Sequence, residues 1–148
     1  MAILDGLNRE QKEAVLVKNG PLLIIAGAGS GKTKTIAHRI AYLIQEGVPP
    51  ERILAVTFTN KASQEMKERV LGLLQKEKIF IPQGFEPFMG TFHALGVSIL
   101  RASGSAIGIP RNFSIFDEED ARRVCRDIIA EFELDPESYA PARIRGAI

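Results

Sequence analysis

Leu22-Leu-Ile-Ile-Ala-Gly-Ala-Gly-Ser-Gly-Lys-Thr33 joins an apolar run to a glycine-rich turn and then to a lysine and a threonine. Leu22 to Ile25 predicts a buried parallel strand, and Ile36, Ile40, Leu43 and Ile44 recur at helical spacing until Gly47 stops the helix. Gly27, Gly29 and Gly31 admit backbone angles that other residues avoid, so the turn can aim successive N–H groups at a polyphosphate. The following helix adds its positive end. Lys32 is placed to reach the β and γ phosphates, and the Thr33 hydroxyl to hold Mg²⁺. The pattern G-x-x-x-x-G-K-[ST] is met except at its first position, where Ala26 stands. A turn that merely connects strand to helix is the alternative; the flanking strand and helix favour a phosphate loop.

The chain of 148 residues is long enough for one proper core and short for two ordinary domains. With 45% hydrophobic and 25% charged residues it has the composition of a globular protein. Its apolar runs fall far short of a membrane span, and its N-terminus lacks a basic region followed by an apolar stretch, so a cytoplasmic protein with no membrane partner is expected. Cys125 alone makes neither an intrachain disulfide nor a metal cluster, and its place on the apolar face of a predicted helix favours core filler over nucleophile. A net charge of +1 conceals an asymmetry. Nine basic residues stand against five acidic between Lys32 and Lys78, and three against nine between Asn112 and Ala140. The first region attracts a polyanion that the second repels, although such a surplus also suits a solvated face.

Working outward, Asn8 is placed to cap a helix with Glu10 and Gln11 in its first turns, and Asn19-Gly20-Pro21 breaks it. Gly47-Val-Pro-Pro50 turns into a second strand, Ile53 to Phe58. Thr59-Asn60 caps a helix with Ala62, Met66, Val70, Leu73 and Leu74 on one face. A third strand around Phe88 to Thr91 leads into a helix carrying Ala94, Val97, Ile99 and Leu100. Alternating strand and helix predict an α/β fold, a parallel sheet covered by helices. The alternation stops near Gly104. Asp117 then caps an amphipathic helix marked by Ala121, Val124, Cys125, Ile128, Ile129 and Phe132, and a further helix begins at Pro141 and runs towards Ile148. The expected division is an α/β unit over 1–103 and a helical unit over 104–148.

Five stretches in order narrow the reading: Leu7-Asn8 with Gln11 and Ala14-Val15; Ala26 to Thr33; His38-Arg39-Ile40; Thr57 to Ala62 with Glu65-Met66 and Arg69; and Gly90-Thr-Phe-His-Ala94. Together they resemble the consecutive N-terminal motifs of the UvrD/Rep/PcrA-type superfamily 1 DNA helicases. Phe113-Ser-Ile-Phe-Asp117 and the helix after it resemble the start of that family's inserted helical domain. The resemblance implies a P-loop NTPase (RecA-like) sheet, incomplete here, within 1–103, and the opening of the inserted subdomain within 104–148. It also implies an ATP-dependent 3′ to 5′ helicase or translocase of DNA repair and replication, using ATP and Mg²⁺. Single-stranded and duplex DNA and a second motor domain of the same polypeptide would be its partners.

The resemblance implies an ATP site of Gln11, Ala26, Gly27, Ala28, Gly29, Ser30, Gly31, Lys32, Thr33, Lys34 and Arg39. Glutamine offers a donor beside an acceptor, the match for the N6 and N7 edge of adenine; a solvent-facing helix glutamine is the alternative. Arg39 lies two helical turns after Lys32, and its planar guanidinium can stack on a base, as the family implies; a surface helix arginine is the alternative. Phe58, Thr59, Asn60 and Lys61 fall at the carboxyl end of a predicted parallel strand, where open α/β sheets place ligands. An aromatic face, two small polar groups and a cation are parts of a single-strand track. The resemblance assigns them to single-stranded DNA, with core packing of Phe58 as the alternative. Thr91, Phe92 and His93 resemble the next DNA-contact motif; His93 also suits a helix cap or a buried hydrogen bond. Asp117 with Glu118 imitates the acid pair of a Mg²⁺-ATPase, but Asp120 three residues on makes a helix cap the stronger reading. The competing function is a compact nucleotide-binding or kinase-like module that uses Asp117 and Glu118 as its Mg²⁺ acid. A non-catalytic DNA-binding piece is a third.

Overall fold

The computed structural model describes residues 2–135 and 138–146. They form α1 (Arg9–Leu16), α2 (Lys32–Gln45), β1 (Leu54–Thr57), α3 (Asn60–Lys76), β2 (Phe88–Thr91), α4 (Phe92–Ser103), α5 (Glu118–Glu131) and α6 (Pro141–Arg145). The expected continuation of the last helix to Ile148 reaches positions outside the described residues. The chain divides into two compact units, Met1–Leu100 and Arg101–Ile148.

In the first unit, β1 and β2 pair in parallel with Leu54 opposite Phe88 and Thr57 opposite Thr91, and α3 makes the crossover between them. This is an α/β arrangement with a two-stranded parallel sheet. Every fourth residue of α3, namely Met66, Val70 and Leu74, is buried, the spacing that keeps side chains on one face. They meet Ile40, Ala41 and Ile44 of α2, with Val15 of α1 and Ile3 in the same core. His38 is also buried, its Nδ1 bonded to the carbonyl of Ile3.

The strand expected over Leu22 to Ile25 is not formed. Those residues adopt no regular structure and pair with no strand among the described residues, and Leu23 and Ile25 are 82% and 86% exposed. A strand exists through the neighbour that takes its N–H and C=O groups. A run of apolar residues signals a need for cover and says nothing of where the cover comes from.

Helix ends follow local chemistry. Asn8 Oδ1 accepts from the Gln11 amide at 2.8 Å while Gln11 Oε1 accepts from the Asn8 amide at 3.1 Å, a reciprocal capping box. Thr59 Oγ1 accepts from the Ala62 amide at 3.1 Å, so Thr59 caps α3 and Asn60 is its first residue. Helix α2 closes through Gly47 (φ 89°), whose amide bonds Ile44 while that of Val48 bonds Leu43, a Schellman ending. Helices α3 and α5 end in the same pattern, but with Lys78 (φ 56°) and Glu133 (φ 50°) at the left-handed position.

In the second unit, Asp117 Oδ1 accepts from the Asp120 amide at 2.8 Å and the Asp117 amide donates to Asp120 Oδ2 at 3.3 Å, closing the start of α5. Of the apolar face expected on α5 only Ile129 is buried; Val124, Ile128 and Phe132 are exposed and Cys125 is half-buried. Amphipathic spacing identifies the face that seeks cover, and the described residues of this unit supply little. In the first unit Ile99 of α4 is likewise exposed.

Candidate functional site

The glycine-rich turn takes its shape from two left-handed residues. Gly29 has φ 76°, and Gly31, the residue before α2, has φ 84° and ψ 23°. Between them the Ser30 hydroxyl donates to the Gly27 carbonyl at 2.7 Å. Gly31 is also a packing position: a Cβ there would lie 3.0 Å from Gln11 Nε2. Gln11 Nε2 donates to the Ser30 carbonyl at 3.1 Å, so the side chain that completes the cap of α1 also fastens that helix to the turn. Gln11, Ile24, Ala26, Ser30 and Lys32 line a cavity of about 200 Å³.

Lys32 Nζ donates to the carbonyls of Ala26 and Gly27, each at 2.7 Å, folding over the turn. Lys34 Nζ donates to the carbonyl of Gly6 at 2.6 Å, tying the start of α2 to the N-terminal turn. Two lysines in a helix's first turn oppose its dipole, which favours anions there. An anion bound at this helix start would offset both the lysines and the dipole. The lysines and Thr33 line a second cavity, of about 310 Å³, together with Gly29, Gly31, Glu65 and Arg69. Glu65 and Arg69 come from α3 and were not among the expected nucleotide residues. Their signal was available: a spacing of four sets them on one face, beside the inward-facing Met66 and Val70. Thr33 also lines a third cavity with Thr57, Ala62 and Met66, so the turn and the carboxyl end of β1 are neighbours.

Arg39 does not line the cavity of Gln11, but it lines the third cavity with Thr33. Its Nη1 donates to the Ala14 carbonyl at 2.8 Å and to the Val17 carbonyl, both at the end of α1.

At the carboxyl ends of the two strands, the pairing of Thr57 with Thr91 brings the residues that follow side by side. Phe58 is 90% exposed, which removes its core alternative. Its ring lies 5.4 Å from that of Phe92, centroid to centroid, at an angle of 45°. Asn60, Lys61 and His93 are exposed around the pair. Thr91 is buried and its Oγ1 accepts from the Ala94 amide at 3.1 Å, so the cap that His93 might have supplied is made by Thr91. The Thr59 hydroxyl is likewise engaged as the cap of α3. Of the seven residues expected to contact DNA, the described geometry leaves Phe58, Asn60, Lys61, Phe92 and His93 presented to solvent with their side chains free of capping duty.

Two features outside these cavities bear on chemistry. The carboxylate of Asp117 is committed to its capping box. Among the described residues no three His, Cys, Asp or Glu side chains gather as a metal site, and no helix is long and apolar enough to cross a membrane.

A model of the UvrD/REP helicase N-terminal domain matches residues 7–148. The chain belongs to that family. It is 50% identical over 147 residues to the ATP-dependent DNA helicase PcrA of Bacillus subtilis and 47% identical over 147 residues to the PcrA of Leuconostoc citreum. The PcrA of Staphylococcus aureus is 47% identical over 148 residues. Each alignment covers 99% of this chain but only 19–20% of the relative, so the chain spans about a fifth of the length of the curated relatives it matches.

Proposed function

We propose that this chain is the ATP-binding front part of an ATP-dependent 3′ to 5′ DNA helicase or translocase. In this reading, residues 1–103 are the front half of a first RecA-like motor domain and residues 104–148 the opening of an inserted helical subdomain. The observation that carries it is the turn from Gly27 to Thr33, with two left-handed glycines, two lysines at the head of α2 and a cavity shared with Arg69. Those groups fit a Mg²⁺-bound triphosphate. A Cβ at Gly31 would press on Gln11 Nε2, the ammonium of Lys32 is an anion donor beside the start of α2, and the exposed Thr33 hydroxyl suits a hard cation. The ATP site we propose comprises Gln11, Ala26, Gly27, Ala28, Gly29, Ser30, Gly31, Lys32, Thr33, Lys34 and Arg39, with Arg69 added from α3.

When bound, Mg²⁺ would neutralise charge on the phosphates, with Thr33 as its protein ligand. The chain's own part is electrostatic and positional. Lys32 exchanges the carbonyls of Ala26 and Gly27 for phosphate oxygens, and the amides of the turn hold those oxygens in place. Phe58 and Phe92 form a stacking platform for bases, with Asn60, Lys61 and His93 beside it for the backbone of single-stranded DNA. Helix α3 begins at that platform and, farther along, lines the phosphate cavity with Glu65 and Arg69, a direct mechanical link between the two. Duplex DNA and a second motor domain of the same polypeptide complete the machine. An arginine finger supplied by another domain is worth about 10³ to 10⁵ in rate in related phosphate-loop enzymes, so these residues alone neither unwind DNA nor turn over ATP appreciably.

The test is binding. Labelled ATP with Mg²⁺ should bind the chain, and Lys32→Ala should abolish it. Labelled single-stranded DNA should bind with an affinity that falls as salt rises. Absence of both interactions refutes the reading, and robust DNA-stimulated hydrolysis by the 148 residues refutes the claim that they are inactive alone. The module alternative requires Asp117 as a Mg²⁺ ligand, and its capping geometry favours the helicase reading.

A further inference from the structure

Lys34, His38, Ala41 and Gln45 recur on α2 at intervals of four, three and four residues, a spacing that lays them along one face. Three of the four are polar, the composition of a solvated stripe, yet His38 and Ala41 are 7% and 0% exposed. The N-terminal turn, Ala2–Leu4, packs against α2 and α3, and the fully buried Ile3 is held by both of its backbone groups. Its carbonyl accepts from His38 Nδ1, and its amide donates to Glu77 Oε1 at 3.2 Å. Gln45 Nε2 donates to the other oxygen of Glu77 at 3.1 Å. A carboxylate only accepts, so the Gln45 amide group is turned towards it, which leaves Gln45 Oε1 buried without a partner among the described residues. Farther on, Gly6, left-handed at φ 70°, offers its carbonyl to Lys34 Nζ at 2.6 Å. Residues 2–7 are therefore a strap on α2, fastened at Ile3 towards the far end of the helix and at Gly6 beside the glycine-rich turn.

Of these fasteners only Lys34 also lines the phosphate cavity. Its contact with Gly6 sets a charge against a neutral carbonyl, whereas a nucleotide brings full negative charges to the same cavity. We propose that the strap and the nucleotide compete for Lys34: the ammonium holds either the Gly6 carbonyl or the nucleotide, so that nucleotide binding loosens residues 4–7 while Ile3 stays fastened. This rests on the nucleotide reading above and gives that site a regulator within the same chain. The coupling is reciprocal, so whatever frees the strap strengthens nucleotide binding by the factor with which nucleotide loosens the strap. A strap that served stability alone would not distinguish the protein with nucleotide from the protein without it.

The experiment measures the dissociation constant of ATP with Mg²⁺ for the full chain and for Lys34→Met, Glu77→Ala and the double variant Lys34→Met/Glu77→Ala. Amide hydrogen exchange over residues 3–7 is followed with and without ATP. In the wild-type chain ATP should raise exchange over 4–7; in Lys34→Met exchange there should already be raised and indifferent to ATP. Glu77 lines none of the three cavities described above, yet Glu77→Ala, which releases the Ile3 amide, should tighten ATP binding by about fivefold. In the Lys34→Met background the same substitution should leave ATP affinity unchanged, because the competition runs through Lys34. Unchanged or weakened ATP binding in Glu77→Ala overturns the inference, as does an equal effect of Glu77→Ala in both backgrounds. Should Glu77→Ala fail to fold, Ile3→Val, which trims the buried anchor of the same strap, carries the same comparison. Wild-type protein that binds no ATP overturns the nucleotide reading itself. Wild-type protein that binds ATP with unchanged exchange over 3–7 overturns only this inference.

Discussion

Replacing Gly31 by alanine separates two costs that the turn combines. The first is backbone strain: at φ 84° a residue with a Cβ costs about 1–2 kcal/mol. The second is a collision, since the new Cβ would lie 3.0 Å from Gln11 Nε2. Gln11 Nε2 must then give way by a few tenths of an ångström, at the expense of its hydrogen bond to the Ser30 carbonyl, worth at most about 0.5–1.5 kcal/mol. Alanine also restricts the unfolded chain, which returns about 0.4–1 kcal/mol. The net expectation is a destabilisation of roughly 0.5–3 kcal/mol. Gly29→Ala is the matched control, because Gly29 has φ 76° but nothing within 4 Å of its would-be Cβ. Urea unfolding of both variants should place Gly31→Ala lower by about the value of the hydrogen bond, and Gln11→Ala should abolish the difference between them. If the two glycine variants unfold together, the contact between Gln11 and the turn contributes nothing and the coupling of α1 to the turn is wrong.

Phe58→Ala should weaken single-stranded DNA binding by about 1–3 kcal/mol, the value of one base stacked on an aromatic ring, read by fluorescence anisotropy; an unchanged affinity removes the platform. Asp117→Ala should destabilise α5 by about 0.5–2 kcal/mol, seen in thermal melts followed by circular dichroism, with Mg²⁺-dependent nucleotide affinity unchanged; loss of that affinity would revive the module reading. Lys78→Gly relieves a left-handed lysine and should stabilise the first unit by up to about 1 kcal/mol, measured by urea unfolding; destabilisation would show that the Lys78 side chain contributes something its backbone strain conceals.

The helices were legible because their signals are local. Asn8, Thr59 and Asp117 are caps by residue type and position, and Met66, Val70 and Leu74 mark the inward face of α3 by spacing alone. β1 and β2 were legible because strand and helix alternate around them, although β1 begins a residue later than Ile53 and ends before Phe58. Leu22 to Ile25 misled because strand formation is a property of a pair. At the site, glycine spacing and the Lys32-Thr33 pair are written in the sequence. The bonds that Gln11, Lys34 and Arg39 make are not, since each reaches a backbone carbonyl 19 or more residues away. The partnership of Arg69 with the turn depends on how α3 lies against α2, a tertiary fact that no single stretch encodes.

The uncovered run from Leu22 to Ile25 has a practical side. Four successive branched aliphatic residues, outside any helix or strand and carrying no charge, with Pro21 only at their edge, are the composition that templates intermolecular strand pairing. A preparation of these 148 residues should therefore self-associate as its concentration rises, and light scattering would register this before any loss of helix. The segment that leads into the phosphate turn is then also the one that limits how the protein can be handled. A lysine in place of Leu23, whose side chain is largely in solvent, is the change we expect to keep it dispersed.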